Sequence, residues 1–230
     1  MMYHAIPRRL PGFLRRWVLH FEAAIEEAVS QFAEGLAPAA RVLDAGAGEG
    51  AYAHFFPRQR YLGVDLGIGD PQWNYARLDA LADLLRLPFR EGTFDACLNV
   101  VTLEHLRDPA GALREIARTL KPQGRFLLVA PQDFEVHQAP HDYFRFTRYG
   151  LRYLLEKAGF AQVRILPVGG FFRLLARRLL NALQFFRGVW FLVAALFLVP
   201  PALLLPLLDS LDRDRNFTPG YICTAIKRQA

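Results

Sequence analysis

The sequence predicts an α/β fold, a doubly wound and mostly parallel sheet with helices on both faces. Three observations predict it. Short apolar strands alternate with helical stretches from residue 41 onward. The first strand runs directly into a turn that carries Gly46, Gly48 and Gly50. Seven strands can be counted, and no internal repeat or low-complexity linker interrupts them.

Ahead of the strands, residues 1–37 read as a basic, amphipathic helical arm. Phe13, Trp17, Phe21, Ala24 and Ala28 share one side of a helix from Phe13 to about Glu34, which Gly35 and Pro38 end. "RVLDA", residues 41–45, is the first strand, and a helix is expected from about Glu49. "RYLGVD" is the second strand, ending at Asp65, and "WNYARLD" the third, ending near Asp79. "TFDACLNV" and "GRFLLVAP" are the fourth and fifth. Between them lies a helix with Asp108 at the N-cap, Pro109 in the first turn, and Pro122 and Gly124 past its end. "TRYGLRYLLEKAGF" is a further helix, capped by Thr147 and stopped at Gly159. "AQVRILPV" and "YICTAIKR" complete the strands.

The last two strands are separated by residues 169–218, where a short connection would suffice. Within this insert, "FFRLLARRLLNALQFFR" places Arg173, Arg177, Asn181 and Gln184 on one helical line, away from Leu175, Leu179, Leu183 and Phe186. Next comes "GVWFLVAALFLVPPALLLPLL", residues 188–208, without a charge. About 20 apolar residues can cross a bilayer. Pro200 and Pro201 are expected to break the run into two halves too short to span, bent as a shallow hairpin in one leaflet. Asp209, Asp212, Arg213, Asp214 and Arg215 then mark the return to water.

Charge follows the same division. The chain carries a net +6, with 25 arginines against 3 lysines. Residues 1–20 hold Arg8, Arg9, Arg15 and Arg16 and no acid, and residues 171–187 hold Arg173, Arg177, Arg178 and Arg187 and no acid. Without those eight arginines the rest of the chain stands at −2. Basic residues among large apolar ones favour an anionic membrane surface over nucleic acid. The arginines that interrupt every apolar stretch near the N-terminus argue against a signal peptide. Cys97 and Cys223 read as reduced, buried thiols of a cytosolic protein.

The most informative stretch is "VLDAGAGEG". Glycines allow a tight strand-to-helix turn and let a ligand approach the backbone. Gly46, Gly48 and Ala51 also fit the dinucleotide pattern, and Asp65, 21 positions after Asp44, suits ribose hydroxyls in either case. A carboxylate at Asp44 would repel a pyrophosphate but could orient an ammonium group. With "GVD", "LDA" and "LPFREGTFDACLNVVTLEHLRDPAGALREIARTLKPQGRFLLVAP" in order, the chain resembles class I S-adenosylmethionine-dependent methyltransferases of the type 11 group. The resemblance covers about residues 38–168 and resumes at the last strand. It implies a Rossmann-like seven-stranded sheet with an antiparallel last strand, as a domain of residues 38–168 and 219–230 carrying the insert 169–218.

The resemblance also implies roles. Asp44, Gly46 and Gly48 would hold the methionine end of S-adenosyl-L-methionine, and Asp65 the ribose hydroxyls. Leu66 would pack on the adenine, Asp79 and Ala80 would recognise its amino group, and Asn99 would lie beside the methionine portion. Methyl transfer is an in-line displacement, and a base is needed only when the acceptor starts protonated. Three histidines are candidates: His105 after the fourth strand, and His137 and His141 in the loop after the fifth. Their spacing shows no metal site, and none is expected.

The sequence thus points to a methyltransferase on the cytoplasmic face of a membrane, peripheral or monotopic, acting on a lipid, a lipid-linked glycan or another amphiphile. A soluble O- or N-methyltransferase of a small molecule, its insert a lid or homodimer surface, is the alternative. A non-catalytic cofactor-binding module and a nucleotide-dependent oxidoreductase are further readings.

Overall fold

The computed structural model describes residues 12–69 and 72–229. Arg8 and Arg9 of the expected basic arm lie outside them, as do the side chains of Phe13 and Arg15. Among the described residues two compact units form, one of residues 26–166 with 220–229, the other of residues 12–25 with 167–219. Residues 26–37 therefore fold with the sheet rather than with an N-terminal arm.

The larger unit is built on a seven-stranded sheet: β1 (Arg41–Ala45), β2 (Arg60–Asp65), β3 (Ala80–Leu81), β4 (Phe94–Val100), β5 (Leu120–Pro131), β6 (Phe160–Pro167) and β7 (Gly220–Lys227). Their order across the sheet is β3-β2-β1-β4-β5-β7-β6. The pairs β1–β2, β1–β4, β2–β3 and β4–β5 are parallel. β7 runs antiparallel to β5, with Leu128 opposite Cys223, as the resemblance implied. Alternation decides the faces. Leu43, Ala45, Cys97, Phe126, Leu128 and Ala130 enter one buried cluster, while the residues between them point to the opposite face. Both cysteines are buried and free, and burial pushes their thiols up, that of Cys223 to about 12.

Helix α3 (Pro109–Thr119) starts as its sequence requires, with the Asp108 carboxylate accepting from the Gly111 amide at 2.8 Å. Its Leu113 and Ile116 are buried in the cluster, each worth roughly 1.5–3 kcal/mol of apolar burial. Helix α4 (Arg148–Lys157) is capped by Thr147 and ends before Gly159, whose φ of +96° favours glycine.

Two local expectations fail. The segment after the glycine turn forms only a short 3-10 turn, Ala53–Phe55, not a helix from Glu49. Pro57 follows at once, and the residue before a proline disfavours α geometry, which limits the segment to one turn. "WNYARLD" is not a strand either. Asn74 caps a 3-10 turn at Tyr75–Arg77, accepting from the Ala76 amide, and β3 begins only after Asp79.

The smaller unit is helical. Its elements are α1 (Gly12–Val18), the first residues of α2 (His20–Glu34), α5 (Phe171–Ala182), α6 (Val189–Leu204) and a 3-10 stretch at Leu205–Leu211. The single N-terminal helix expected from Phe13 is interrupted at Leu19, between α1 and α2. Asp209 caps α5 across the fold, accepting from the Gly170 and Arg173 amides at 3.1 Å, and Asp212 accepts from Phe171 at 2.8 Å. Asp209 is buried, so it is a cap and not an exit into water.

The basic line of α5 turns inward as well. Arg177 is 8% exposed and pairs with Glu22 at 2.9 Å, and Arg173 faces Asp209 at 3.5 Å. A buried guanidinium needs a carboxylate, and residues far away in sequence supply both. Nor do the prolines break α6, which runs through Pro200 and Pro201. Proline's φ is helical, and its cost is one lost donor and a clash one turn back, which bends a helix more readily than it ends one. From Val189 to Leu211 only 17% of the most apolar window is buried.

Candidate cofactor and acceptor site

The site gathers at the C-terminal ends of β1, β2 and β4, the edge where open α/β sheets bind ligands. Gly46 has φ +91° and Gly48 φ +54°, values that favour glycine. A Cβ on Gly46 would lie 2.3 Å from the Thr102 side chain. A Cβ on Gly48 would lie 3.3 Å from the Trp73 ring. The turn is therefore closed on one side by Thr102, whose single hydroxyl hydrogen is shared between the Gly46 and Val100 carbonyls, both 3.1 Å away. On the other side stands the segment around Trp73, tied down by the Asn74 amide donating to Glu49 at 2.9 Å.

Asp65 organises the turn. One carboxylate oxygen accepts from the Gly48 amide at 3.0 Å and the other from Gly67 at 2.8 Å. Each oxygen keeps a second lone pair for a hydroxyl donor. Leu66 follows with half of its surface exposed, beside exposed Ile68. Asp79 accepts from the Gly63 amide at 2.8 Å and so fixes the entry to β3, where Ala80 pairs with Val64. The residues expected around the adenine end thus come together.

At the expected methionine end the polar groups are buried. Asp44 is fully buried, and Tyr61 donates to its Oδ2 at 2.5 Å. Burial raises the Asp44 carboxyl to about 7, the Tyr61 hydrogen bond works against that rise, and the Asp65 charge adds to it. Its Oδ1 has no partner among the described residues. Asn99 is buried too, donating to the Ala45 carbonyl at 2.6 Å and leaving its own Oδ1 without a partner. Two orphaned acceptors behind a glycine cradle fit a ligand that brings N–H donors, so the residues present fit S-adenosyl-L-methionine. Between Asn99 and Thr102, Val101 holds φ +51°, a strained conformation for a β-branched residue and one that collects at functional sites.

A second group of side chains follows β4 directly. Glu104 and His105 lie on a 3-10 turn, Leu103–His105, and Glu104 is fully buried. The loop after β5 folds onto this turn, with the Tyr143 and Phe144 amides donating to the Glu104 carbonyl at 2.9 and 3.2 Å. A bidentate pair stiffens the loop: Arg145 donates to Asp142 at 2.6 and 2.8 Å and also to the Phe134 and Glu135 carbonyls. Burial opposes the Asp142 charge, but Arg145 and the His137 amide overcome it and hold the carboxyl down to about 2. The three candidate histidines are thereby brought together. His105 Nδ1 faces the His141 carbonyl at 2.6 Å, and the His105 and His137 rings lie 4.7 Å apart. His141 Nδ1 meets the Tyr143 hydroxyl at 3.2 Å. Burial lowers the His105 imidazole and raises the Glu104 carboxyl to about 8.

Against the expectation of no metal-ligand set, one atom each from Glu104, His105 and His137 lies within 4.8 Å of the other two. His137 stands 32 residues beyond His105, so spacing along the chain could not show it. Tyr61, Thr102 and Trp73 also escaped the sequence reading. Tyr61 left one signal, a hydroxyl-bearing residue beside the apolar stretch 62–64 of β2.

Residues 43–128 match the family model of a methyltransferase domain. Malonyl-[acyl-carrier protein] O-methyltransferase of Geobacter sulfurreducens is 32% identical over 163 residues, which is 58% of this chain and 60% of that one. The chain spans less than two thirds of the length of the curated relatives it matches first. Among solved structures, the [4+2]-cyclase SpnF aligns with a TM-score of 0.61 at 22% identity, covering 90% of this chain and 83% of that one. Phosphoethanolamine N-methyltransferase 2 of Haemonchus contortus, in complex with S-adenosyl-L-methionine, aligns at 0.60 with 18% identity, covering 90% and 53%. The fold is that of class I S-adenosylmethionine-dependent methyltransferases, as the motifs implied.

Proposed function

We propose, from this fold and a methyltransferase-domain match at its glycine turn, that the protein methylates an amphiphilic acceptor at the cytoplasmic face of a membrane. The observation that carries the first half is Asp65, which links the Gly48 and Gly67 amides and keeps lone pairs for ribose hydroxyls. The cofactor would supply an electrophilic methyl group on a sulfonium. The chain's own work is positioning. Asp65 and the glycine turn hold the nucleoside, and the Asp44 and Asn99 oxygens accept from the amino-acid end. The 132–147 loop excludes water over the acceptor. His141 takes the acceptor's proton if it starts protonated.

The membrane half rests on α6. Leu196 and Phe197 are each 69% exposed, and Trp190, Leu192 and Val189 similarly so. A surface of this size needs cover. Because β6 and β7 are neighbours in one sheet, the insert returns to the place it left, which favours a helix lying in one leaflet over a single crossing. The lipid or other amphiphilic acceptor is inferred from that placement.

The test uses full-length protein, methyl-labelled S-adenosyl-L-methionine, and separate membrane and aqueous extracts. Label in the organic phase, lost in Asp65→Ala, supports the reading. Label confined to a water-soluble product rejects the lipid acceptor and leaves the insert as lid, anchor or dimer surface.

A further inference from the structure

We propose that Glu104, His105 and His137 form a binding site for a divalent transition ion of the zinc class, beside the glycine turn. The tautomers come first. His105 Nδ1 lies 2.6 Å from the His141 carbonyl and His137 Nδ1 lies 3.0 Å from the Glu135 carbonyl. A carbonyl only accepts, so each Nδ1 carries the hydrogen and each Nε2 presents a lone pair. Both Nε2 atoms are buried without a hydrogen-bond partner among the described residues, and so are both oxygens of Glu104. Each Nε2 stands 3.8 Å from Glu104 Oε1. That is too long for a hydrogen bond, so the three side chains do not satisfy one another. Leaving four polar atoms buried and unpaired is unfavourable, and the loop held by the Arg145–Asp142 pair enforces it.

A cation resolves this arrangement. Zinc bound by imidazole and carboxylate at about 2.0–2.2 Å sets neighbouring ligand atoms about 3.4 Å apart in a tetrahedron. The two Nε2–Oε1 separations of 3.8 Å are a few tenths of an ångström longer, and all three atoms lie within 4.8 Å of one another. Two imidazoles with one carboxylate select a borderline transition ion over magnesium or calcium, which prefer all-oxygen shells. The outer contacts are those of metal-binding histidines, with each Nδ1 held by a backbone carbonyl and Asp142 Oδ2 a further 3.5 Å from His137 Nδ1. Three protein ligands leave a position for water or an acceptor oxygen. Thr102 joins the site to the cofactor turn, touching Gly46 on one side and starting the Glu104 turn on the other. The inference stands on these three side chains and does not depend on methyl transfer.

The experiment is titration of full-length protein, first stripped with a chelator, with Zn2+ by competition against an indicator and with Co2+ by visible absorption. One ion per chain is expected, with the intense ligand-field bands of low-coordinate Co2+. Glu104→Gln and His137→Ala should each weaken binding by about ten-fold or more, while His54→Ala, on a surface histidine, leaves it unchanged. Zn2+ should raise the Tm of the wild type but not of Glu104→Gln, a near-isosteric change that preserves packing. Absence of stoichiometric binding by the wild type overturns the proposal. So does equal binding by Glu104→Gln and the wild type, which would place the ion elsewhere.

Discussion

The Tyr61 hydroxyl donates to the Asp44 carboxylate at 2.5 Å, joining β2 to β1 beneath the glycine turn. The bond partly offsets the burial of a carboxylate that has no other partner among the described residues.

From this pairing comes a pH dependence. Burial raises the Asp44 carboxyl from 3.8 to about 7 in the fold, so the folded state binds the proton more tightly than the unfolded chain. The stability from this group is full below pH 3.8 and lost as pH rises through about 7. The difference between the plateaus is on the order of 4 kcal/mol. Asp44→Asn should gain on the wild type between pH 4 and pH 8, measured by urea unfolding at both. Tyr61→Phe should lose more at pH 8 than at pH 4, by about 1–3 kcal/mol. A pH-independent difference between Asp44→Asn and the wild type would contradict the buried, raised carboxyl.

At Asp65, alanine removes the acceptor for Gly48 and Gly67 as well as for ribose. Binding of S-adenosylhomocysteine, measured by calorimetry, should weaken by about 100-fold or more, equivalent to about 2.7 kcal/mol. Unchanged affinity would remove Asp65 from the cofactor site.

Gly46→Ala meets two obstacles, a φ of +91° and a Cβ 2.3 Å from the Thr102 side chain. The expected destabilisation is about 2–4 kcal/mol, read as a fall in Tm. Thr102→Ala should rescue it only in part, because the Thr102 Cβ itself lies 2.8 Å from the added carbon.

Leu196→Asp with Phe197→Asp places charge on the exposed side of α6. Because both residues already face outward, thermal stability in solution should change little. Sedimentation with anionic phospholipid vesicles should fall sharply relative to wild type. Retained vesicle binding together with a loss of dimer would make α6 an interface between copies.

Much of the fold was legible because burial imposes short periods. Six of the seven strands read directly from apolar runs, and Asp108 and Thr147 announced their helices through cap chemistry that acts within three residues. The misreadings have different causes. "WNYARLD" has a strand-like composition, but Asn74 captured a nearby amide and turned the chain. Pro200 and Pro201 signal a break, yet the flanking residues keep the helix going. Arg173 and Arg177 looked like a membrane-facing stripe until Asp209 and Glu22 arrived from 36 and 155 residues away.

The sequence by itself determined the sheet, its glycine turn and the acid at the end of the second strand, because these depend on contacts between near neighbours and on a period of two. Only the tertiary structure decided that Asp44 is buried against Tyr61, that the basic line of α5 is neutralised, and that Glu104, His105 and His137 share one point. Each of these depends on which distant group reaches a buried charge or lone pair first. A charge taken out of water must find its partner wherever the fold places one, and spacing along the chain carries no record of that distance.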